Sequence, residues 1–492
     1  MTTISPAVES AAIESVPTQL FIGGQWRDSS SGATLPVEDP ATGETLCEVA
    51  DATVADGDAA LAAADEAFKS FRQVPPRDRS DILRRAYDLM IERADDLALV
   101  MTLEMGKPVS EAMGEVLYAA AYLRWYSEEA VRINGRFQVA ENGTNRVLTM
   151  QEGVGPCIFI TPWNFPLAMG TRKVGPAIAA GCTCVVKPAK QTPLSMLAMA
   201  QIFQDAGLPD GVLNVITTND SNGVMTPLIA DPRARKLSFT GSTEIGKRLI
   251  EQSAEQILRV SMELGGNAPF LVFDDADLDA AVDGAMLAKM RNGGEACTSA
   301  NRFIVQESVA AEFTEKLTAK MGAMKVGRGT EDGVEAGPLI DQVAVDKVHE
   351  LVEDAVALGA TAHVGGSPVD GPGYFYAPTV LGDVPDGARI TAEEIFGPVA
   401  PVRTFSTDEE AVAMANDTEY GLVAYVFARD IGRAFRVMEG LETGMIGFNQ
   451  GMVSNAGAPF GGVKQSGYGR EGGHEGLEEY LETKYIALNI DG

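Results

Sequence analysis

Cysteine, histidine, tryptophan and long apolar runs are all scarce in this chain. Its 492 residues include five cysteines, three histidines and three tryptophans. Five is an odd number and sparse for this length, which excludes a disulfide framework and fits a reducing compartment, the cytoplasm. His349, His363 and His474 all lie far from any cysteine in sequence, so a Cys–His hydrolase has poor support. Cys182 and Cys184 flank Thr183, but no second ligand pair accompanies them. They are expected to be buried in the apolar stretch 181–186, and no metal site is expected. No apolar run approaches the roughly 20 residues that cross a bilayer. Residues 1–19 lack a basic segment and an apolar segment and contain Glu9 and Glu14, so they read as a flexible leader and not as a signal peptide. Basic residues are also in short supply, 39 against 69 acidic ones, for a net charge of −30. That balance excludes a general nucleic-acid binder and a polybasic membrane-surface protein. Any anionic ligand must therefore be held by a few local positive groups.

What is present is an ordinary globular balance, 45% hydrophobic and 22% charged, with length for about three domains. Apolar residues at helical spacing mark 58–71, 77–105 and 109–132. Turn signals near Gly23-Gly24 and Thr42-Gly43 predict small hairpins, and 146–152 alternates like a strand. From Gly155 short apolar strands (157–161, 183–187, 212–216, 236–240, 260–264) alternate with helices (168–180, 195–206, 245–256). A second series follows, with strands at 269–273, 302–305, 399–405 and 445–449 and helices at 276–291 and 310–324. This is the pattern of α/β architecture with two doubly wound parallel sheets, whose ligands bind beyond the carboxyl ends of the strands. A third, smaller β unit is predicted from the segment 136–151 and the C-terminal stretch 480–488.

Several short sequences at those strand ends can carry chemistry. Cys297, in Asn292-Gly293-Gly294-Glu295-Ala296-Cys297-Thr298, follows glycines that permit a sharp turn and an exposed thiol. Glu263 ends an apolar strand before Gly265-Gly266, where burial would lift its pKa and suit a general base. Asn164, between Pro162 and Pro166, is a fixed amide that suits an oxyanion donor or a helix cap. Gly241-Ser242 opens a helix whose N-terminal amides could hold a pyrophosphate, although it matches neither common phosphate-loop pattern.

Together these segments resemble the aldehyde dehydrogenase superfamily. The resemblance runs through Pro162–Pro166, Lys187-Pro188-Ala189, Phe239–Ser242, Glu263–Asn267, Cys297-Thr298, Glu394–Pro398 and Pro459–Gly462, in the family's order, over about residues 20–490. It implies an NADP-binding domain (20–135 and 154–264), a catalytic domain (265–465) and oligomerisation segments (136–153 and 478–492) that make a homodimer or homotetramer. By the same resemblance, Cys297 attacks an aldehyde, Asn164 and the Cys297 N–H hold the oxyanion, and Glu263 activates water against the thioester. Thr161, Trp163, Lys187, Gly241, Ser242, Leu264, Glu394 and Phe396 would bind the cofactor. Many NAD-preferring relatives carry Glu where this chain has Lys190. Lys187 and Lys190 together therefore favour NADP over NAD.

Within the family the chain is most similar to enzymes of succinate semialdehyde. Arg172, Arg291 and Ser454 match the positions that clamp the distal carboxylate, with Phe460 close by, so the expected partner is a small anionic aldehyde. A broader aldehyde dehydrogenase, for glutarate-type or other aldehydes, is the competing enzyme reading. A catalytically silent family member is the competing reading from another class, and the intact Cys297, Glu263 and Asn164 argue against it. Glu295 stands where many relatives have Gln; its effect depends on whether it points at the thiol. Ser299 stands where some relatives have a second cysteine, so no local disulfide switch is expected.

Overall fold

The computed structural model describes residues 4–490; residues 1–3 and 491–492, at the ends of the expected leader and of the second bridging segment, lie outside the described residues. Two large sheets follow each other along the chain. The first is built on five parallel strands in the spatial order Leu213–Val215, Thr183–Lys187, Pro156–Ile160, Lys236–Thr240, Arg259–Glu263. The chain enters at Pro156–Ile160, winds to one edge, then returns to the other side of its starting strand. The order therefore reverses between Pro156–Ile160 and Lys236–Thr240, and a crevice opens beyond their carboxyl ends. Every residue of Thr183–Lys187 and Lys236–Thr240 is buried, as both faces of a parallel sheet are covered by helices. The edges are antiparallel: Leu20–Ile22 pairs with Leu213–Val215 on one side, and Gly467–Tyr468 pairs with Arg259–Glu263 on the other.

The second sheet runs Thr361–Val364, Thr379–Gly382, Val399–Phe405, Ala300–Gln306, Ala268–Val272, Val423–Phe427, Met445–Phe448. It is parallel except for the outer Thr361–Val364 pairing. The strands Arg259–Glu263 and Ala268–Val272 are joined only by the segment from Leu264 to Asn267. So short a connection makes the carboxyl ends of the first sheet face the entry of the second. The crevice lies between them.

The segments 136–153 and 481–488, far apart in sequence, pair into one three-stranded antiparallel sheet of Arg136–Val139, Arg146–Gly153 and Leu481–Leu488. The flexible leader expected at 1–19 is corrected over its described part. Pro6–Glu14 is a helix that buries Ala12 and Ile13, with Val16 following, in the hydrophobic core that also holds Phe159 and Val186 of the first sheet. Glu9 pairs with Arg328 at 3.0 Å. Its apolar side is only one turn or two long, too short to register as a periodic pattern. The long helix expected at 77–105 is two helices, Pro76–Glu92 and Ala94–Met105, parted where Arg93 leaves helical geometry at φ −101° and ψ 17°. Among the described residues, no helix is long and apolar enough to cross a membrane.

Candidate active site

A cavity of about 330 Å³ fills the crevice. Trp163, Asn164, Gly241, Ser242, Glu263, Leu264, Cys297, Glu394 and Phe396 all line it, so segments more than two hundred residues apart meet at one place.

Cys297 sits in the turn that leads into Ala300–Gln306 and keeps partial exposure to the cavity. The turn is made by left-handed residues, Asn292 at φ 56°, Gly293 at 61° and Gly294 at 81°. A Cβ on Gly294 would collide with the Gly397 carbonyl, which explains glycine there. Burial pushes the Cys297 thiol up to about 12; the charges of Glu263 and Glu394 add to this, and Arg172 and Arg291 oppose it. The resting thiol is therefore protonated and needs a base.

Glu263 supplies a candidate. It ends Arg259–Glu263, is buried, and has no hydrogen-bond partner for Oε2. Burial, reinforced by the Glu471 charge, lifts its carboxyl well above the usual range, against the pull of Arg172 and Lys173. Asn164 is buried, and its Nδ2 donates to the Glu295 carbonyl at 2.9 Å. One amide hydrogen fixes the side chain to the nucleophile turn, and the second remains for another acceptor. The Asn164 carbonyl is itself held by Lys107 Nζ at 2.7 Å and by Asn292 Nδ2 at 3.1 Å.

The dinucleotide end has the donor set that such a group requires. Ser242 caps Thr243–Ser253, an eleven-residue helix whose free N–H groups favour an anion. Thr161 and Thr240, at the carboxyl ends of neighbouring strands, each bury a hydroxyl oxygen with no partner. Trp163 and Phe396 meet edge to face at 5.4 Å, with Phe396 held at φ 54°. Glu394 Oε1 accepts from the Gly266 N–H at 3.0 Å. Leu264 is buried against the same helix start. Lys187 and Lys190 lie outside this cavity. Lys187 is buried, and burial together with the Lys190 charge lowers its ammonium to about 8. Lys190 is exposed, donates to Asn219 Oδ1 at 3.1 Å, and lines a second cavity of about 370 Å³ that shares Ile340 and Asp341 with the first.

The expected carboxylate clamp is brought together only in part. Arg291 Nη1 donates to Ser454 Oγ at 3.2 Å, and its guanidinium lies over the Phe165 ring at 4.7 Å. Phe165 lines the main cavity. Arg172, expected as the second free cation, is instead paired with Glu471 at 2.6 Å. It packs on Phe460 at 3.9 Å, and its Nε is buried without a partner. Lys173 joins the same carboxylate at 2.5 Å. Glu471 is buried, yet Lys173 and Arg172 hold its carboxyl below the usual range.

Glu295 points away from the thiol. Its Oε1 accepts from the Ile340 N–H at 3.1 Å, and burial raises its pKa well above the usual carboxylate range. Residue-by-residue reading missed Lys107, Glu115, Glu471, Asp341 and Lys347. Glu471, set before two glycines like Glu263, carried a signal; the others were visible only once folded. Cys182 and Cys184 are both fully buried.

The "Aldehyde dehydrogenase family" profile matches residues 26–486. A succinate-semialdehyde dehydrogenase of Paenarthrobacter nicotinovorans is 60% identical over 443 residues, 90% of this chain and 98% of that protein. The NADP(+) succinate-semialdehyde dehydrogenase of Escherichia coli is 48% identical over 472 residues, 96% of this chain and 98% of that one. The crystal structure of succinate-semialdehyde dehydrogenase from Burkholderia pseudomallei superimposes with a TM-score of 0.95 at 48% identity, covering 100% of both chains.

Proposed function

The chain belongs to the aldehyde dehydrogenase family, and from that membership we propose that it oxidises succinate semialdehyde, or a similarly short carboxylated aldehyde, to the acid with NADP. The observation that carries the substrate reading is the Arg291–Ser454 pair, a guanidinium and a hydroxyl bonded at 3.2 Å beside the cavity that holds Cys297. A guanidinium presents a planar pair of donors to a carboxylate. Arg172 is already engaged by Glu471, which it shares with Lys173, so Arg291 is the cation that carries this reading.

Glu263, kept basic by burial, takes the Cys297 proton, and the thiolate adds to the aldehyde carbon. The new oxyanion is held by the second Asn164 amide hydrogen and the Cys297 N–H. A nicotinamide bound there would supply the acceptor for the hydride that leaves the substrate carbon. After releasing the first proton to solvent, Glu263 removes a proton from water, which attacks the Cys297 thioester, frees the acid and expels the Cys297 sulfur as thiolate. Thr161, Trp163, Gly241, Ser242, Leu264, Glu394 and Phe396 hold the nucleotide, and Lys187 and Lys190 take its 2′-phosphate. A phosphate dianion there relieves the repulsion between two neighbouring ammonium groups, one of them buried. The relative from Escherichia coli, named for NADP(+), supports the same choice.

The nucleotide domain is assigned to 20–135 and 154–264, the catalytic domain to 265–465, and the bridging segments to 136–153 and 478–492. The exposed apolar face of the bridging sheet supports a homo-oligomer. The sparse, unpaired cysteines favour the cytoplasm.

Initial rates across a panel of aldehydes, with NAD and NADP in parallel, test the reading. Arg291→Ala is expected to raise KM for succinate semialdehyde by roughly 10- to 150-fold, the worth of one charge-assisted hydrogen bond. KM for butanal should stay unchanged. Equal losses on both substrates would make Arg291 a structural residue.

A further inference from the structure

The helix Val109–Glu129 places Glu111, Glu115, Tyr118, Tyr122 and Tyr126 along one side, at steps of three and four. Each of the first two already serves the site. Glu111 Oε2 accepts from the Asn292 N–H at 2.7 Å, and Glu115 holds Lys107 at 2.6 Å. Tyr118 and Tyr122, further along this face, have no part in the chemistry described above. Their hydroxyl oxygens are 2.6 Å apart. The Tyr122 ring faces the Arg172 guanidinium at 5.9 Å, and the Tyr118 ring faces that of Arg291 at 5.8 Å. The phenol pair therefore spans the gap between the two arginines.

The two hydroxyls are not equivalent. Tyr122 is fully buried, while Tyr118 is only half-buried. Among the described residues, Tyr118 is the one hydrogen-bond partner of the Tyr122 hydroxyl. Arg172, the polar group facing its ring, only donates and offers no acceptor. A buried O–H left without an acceptor is costly, whereas a half-exposed one finds water or ligand. The Tyr122 proton is therefore directed at the Tyr118 oxygen, and the Tyr118 proton is turned outward.

We propose that Tyr118 is a specificity-determining hydrogen-bond donor to the distal carboxylate of the substrate, with Tyr122 as the positioning residue that fixes its proton outward. This rests on the carboxylated-aldehyde reading given above. It adds a neutral donor beside Arg291 and Ser454, in a place where Arg172 is already engaged by Glu471. The site then recognises a carboxylate through one free cation and two hydroxyls.

Tyr118→Phe and Tyr122→Phe remove one oxygen each and keep the rings in place. Steady-state kinetics on succinate semialdehyde and butanal would be compared for both variants, for Arg291→Ala and for the unaltered enzyme. Inhibition by succinate would be measured on the same four proteins. Tyr118→Phe is expected to raise KM for succinate semialdehyde about tenfold or more, with kcat within about twofold and butanal kinetics unchanged. Succinate should weaken as an inhibitor by a similar factor. Tyr122→Phe should move the same quantities in the same direction by less, since Tyr118 then keeps its proton but loses its orientation. A selective loss in Arg291→Ala with none in Tyr118→Phe would overturn the proposal and leave the substrate reading standing. An unaltered enzyme that does not discriminate the two aldehydes, with Arg291→Ala equally indifferent, would overturn both. Equal losses of Tyr118→Phe on both aldehydes would make the phenol a packing group and also refute it.

Discussion

Lys187 carries the sharpest electrostatic consequence in the structure. Burial and the neighbouring Lys190 lower its ammonium from 10.5 to about 8, so the free enzyme loses this charge as pH rises through that value. A 2′-phosphate prefers the protonated form, and the sign follows: with Lys187 in the proposed phosphate site, NADP affinity is expected to be greatest below about 8 and to fall above it. Between pH 7 and pH 9 the NADP dissociation constant should rise by about tenfold, while that for NAD, which lacks the phosphate, should change far less. Fluorescence titration at fixed ionic strength reads both. Lys190→Glu should invert or abolish the NADP preference, with roughly 10- to 150-fold at stake for one charge-assisted contact. It should also raise the pH at which NADP binding weakens, because a carboxylate in place of a cation favours the Lys187 ammonium. A flat pH profile, or an unchanged NADP/NAD ratio of kcat/KM in Lys190→Glu, would remove both lysines from the phosphate site.

The strand that delivers Glu263 ends against a short returning segment from the C-terminal region. Glu263 pairs with Gly467 and Met262 with Tyr468, and the Ser466 carbonyl accepts from the Leu264 N–H at 3.0 Å. Ser466 Oγ donates to the Gly265 carbonyl at 2.7 Å. Gly467 has φ 109°, and a Cβ there would fall on the Met262 carbonyl oxygen. Gly467→Ala must therefore part the pairing and release the end of the Glu263 strand. The expected result is a lower Tm, with a strain cost of order 1–3 kcal/mol. Both the single-turnover burst of reduced nucleotide and steady turnover should slow, because Glu263 serves the Cys297 thiol as well as the attacking water. Unaltered turnover would show that Glu263 is positioned without this segment. No feature local to 259–266 announces the partnership, which marks the limit of what the sequence displays. Thr183–Lys187 is legible because an apolar run stands between Gly181 and Pro188. Val423–Phe427, next to the edge strand of the second sheet, escapes because no glycine or proline directly closes its apolar run of five. Cys297, Glu263 and Asn164 are legible because glycines or prolines fix their backbone. The pairing of Arg172 with Glu471 joins positions about three hundred residues apart, and only the closed fold sets it.

The molecule leaves one sheet without a cover on its outer side. In the register of the bridging sheet Phe137 lies opposite Leu148, which lies opposite Ile486. With period two, Val139 and Met150 share that face. Phe137 is 64% exposed, Val139 55% and Met150 45%, whereas Thr149, on the other face, is buried. A contiguous apolar face flanked by two sheet edges is where another copy of the chain gains most by docking. Electrostatics oppose that docking, since each copy carries a net charge of −30. Apolar burial must outweigh this repulsion, and salt must help by screening it. Light scattering should therefore show an oligomer in the unaltered enzyme that tightens as ionic strength rises. Phe137→Lys combined with Met150→Lys should reduce the particle to a smaller species at every salt concentration, with the circular dichroism spectrum preserved. A mass that ignores these substitutions would move the interface elsewhere. An assembly that loosens with added salt would show that complementary charges hold the copies together, and not the apolar face of Phe137, Val139 and Met150.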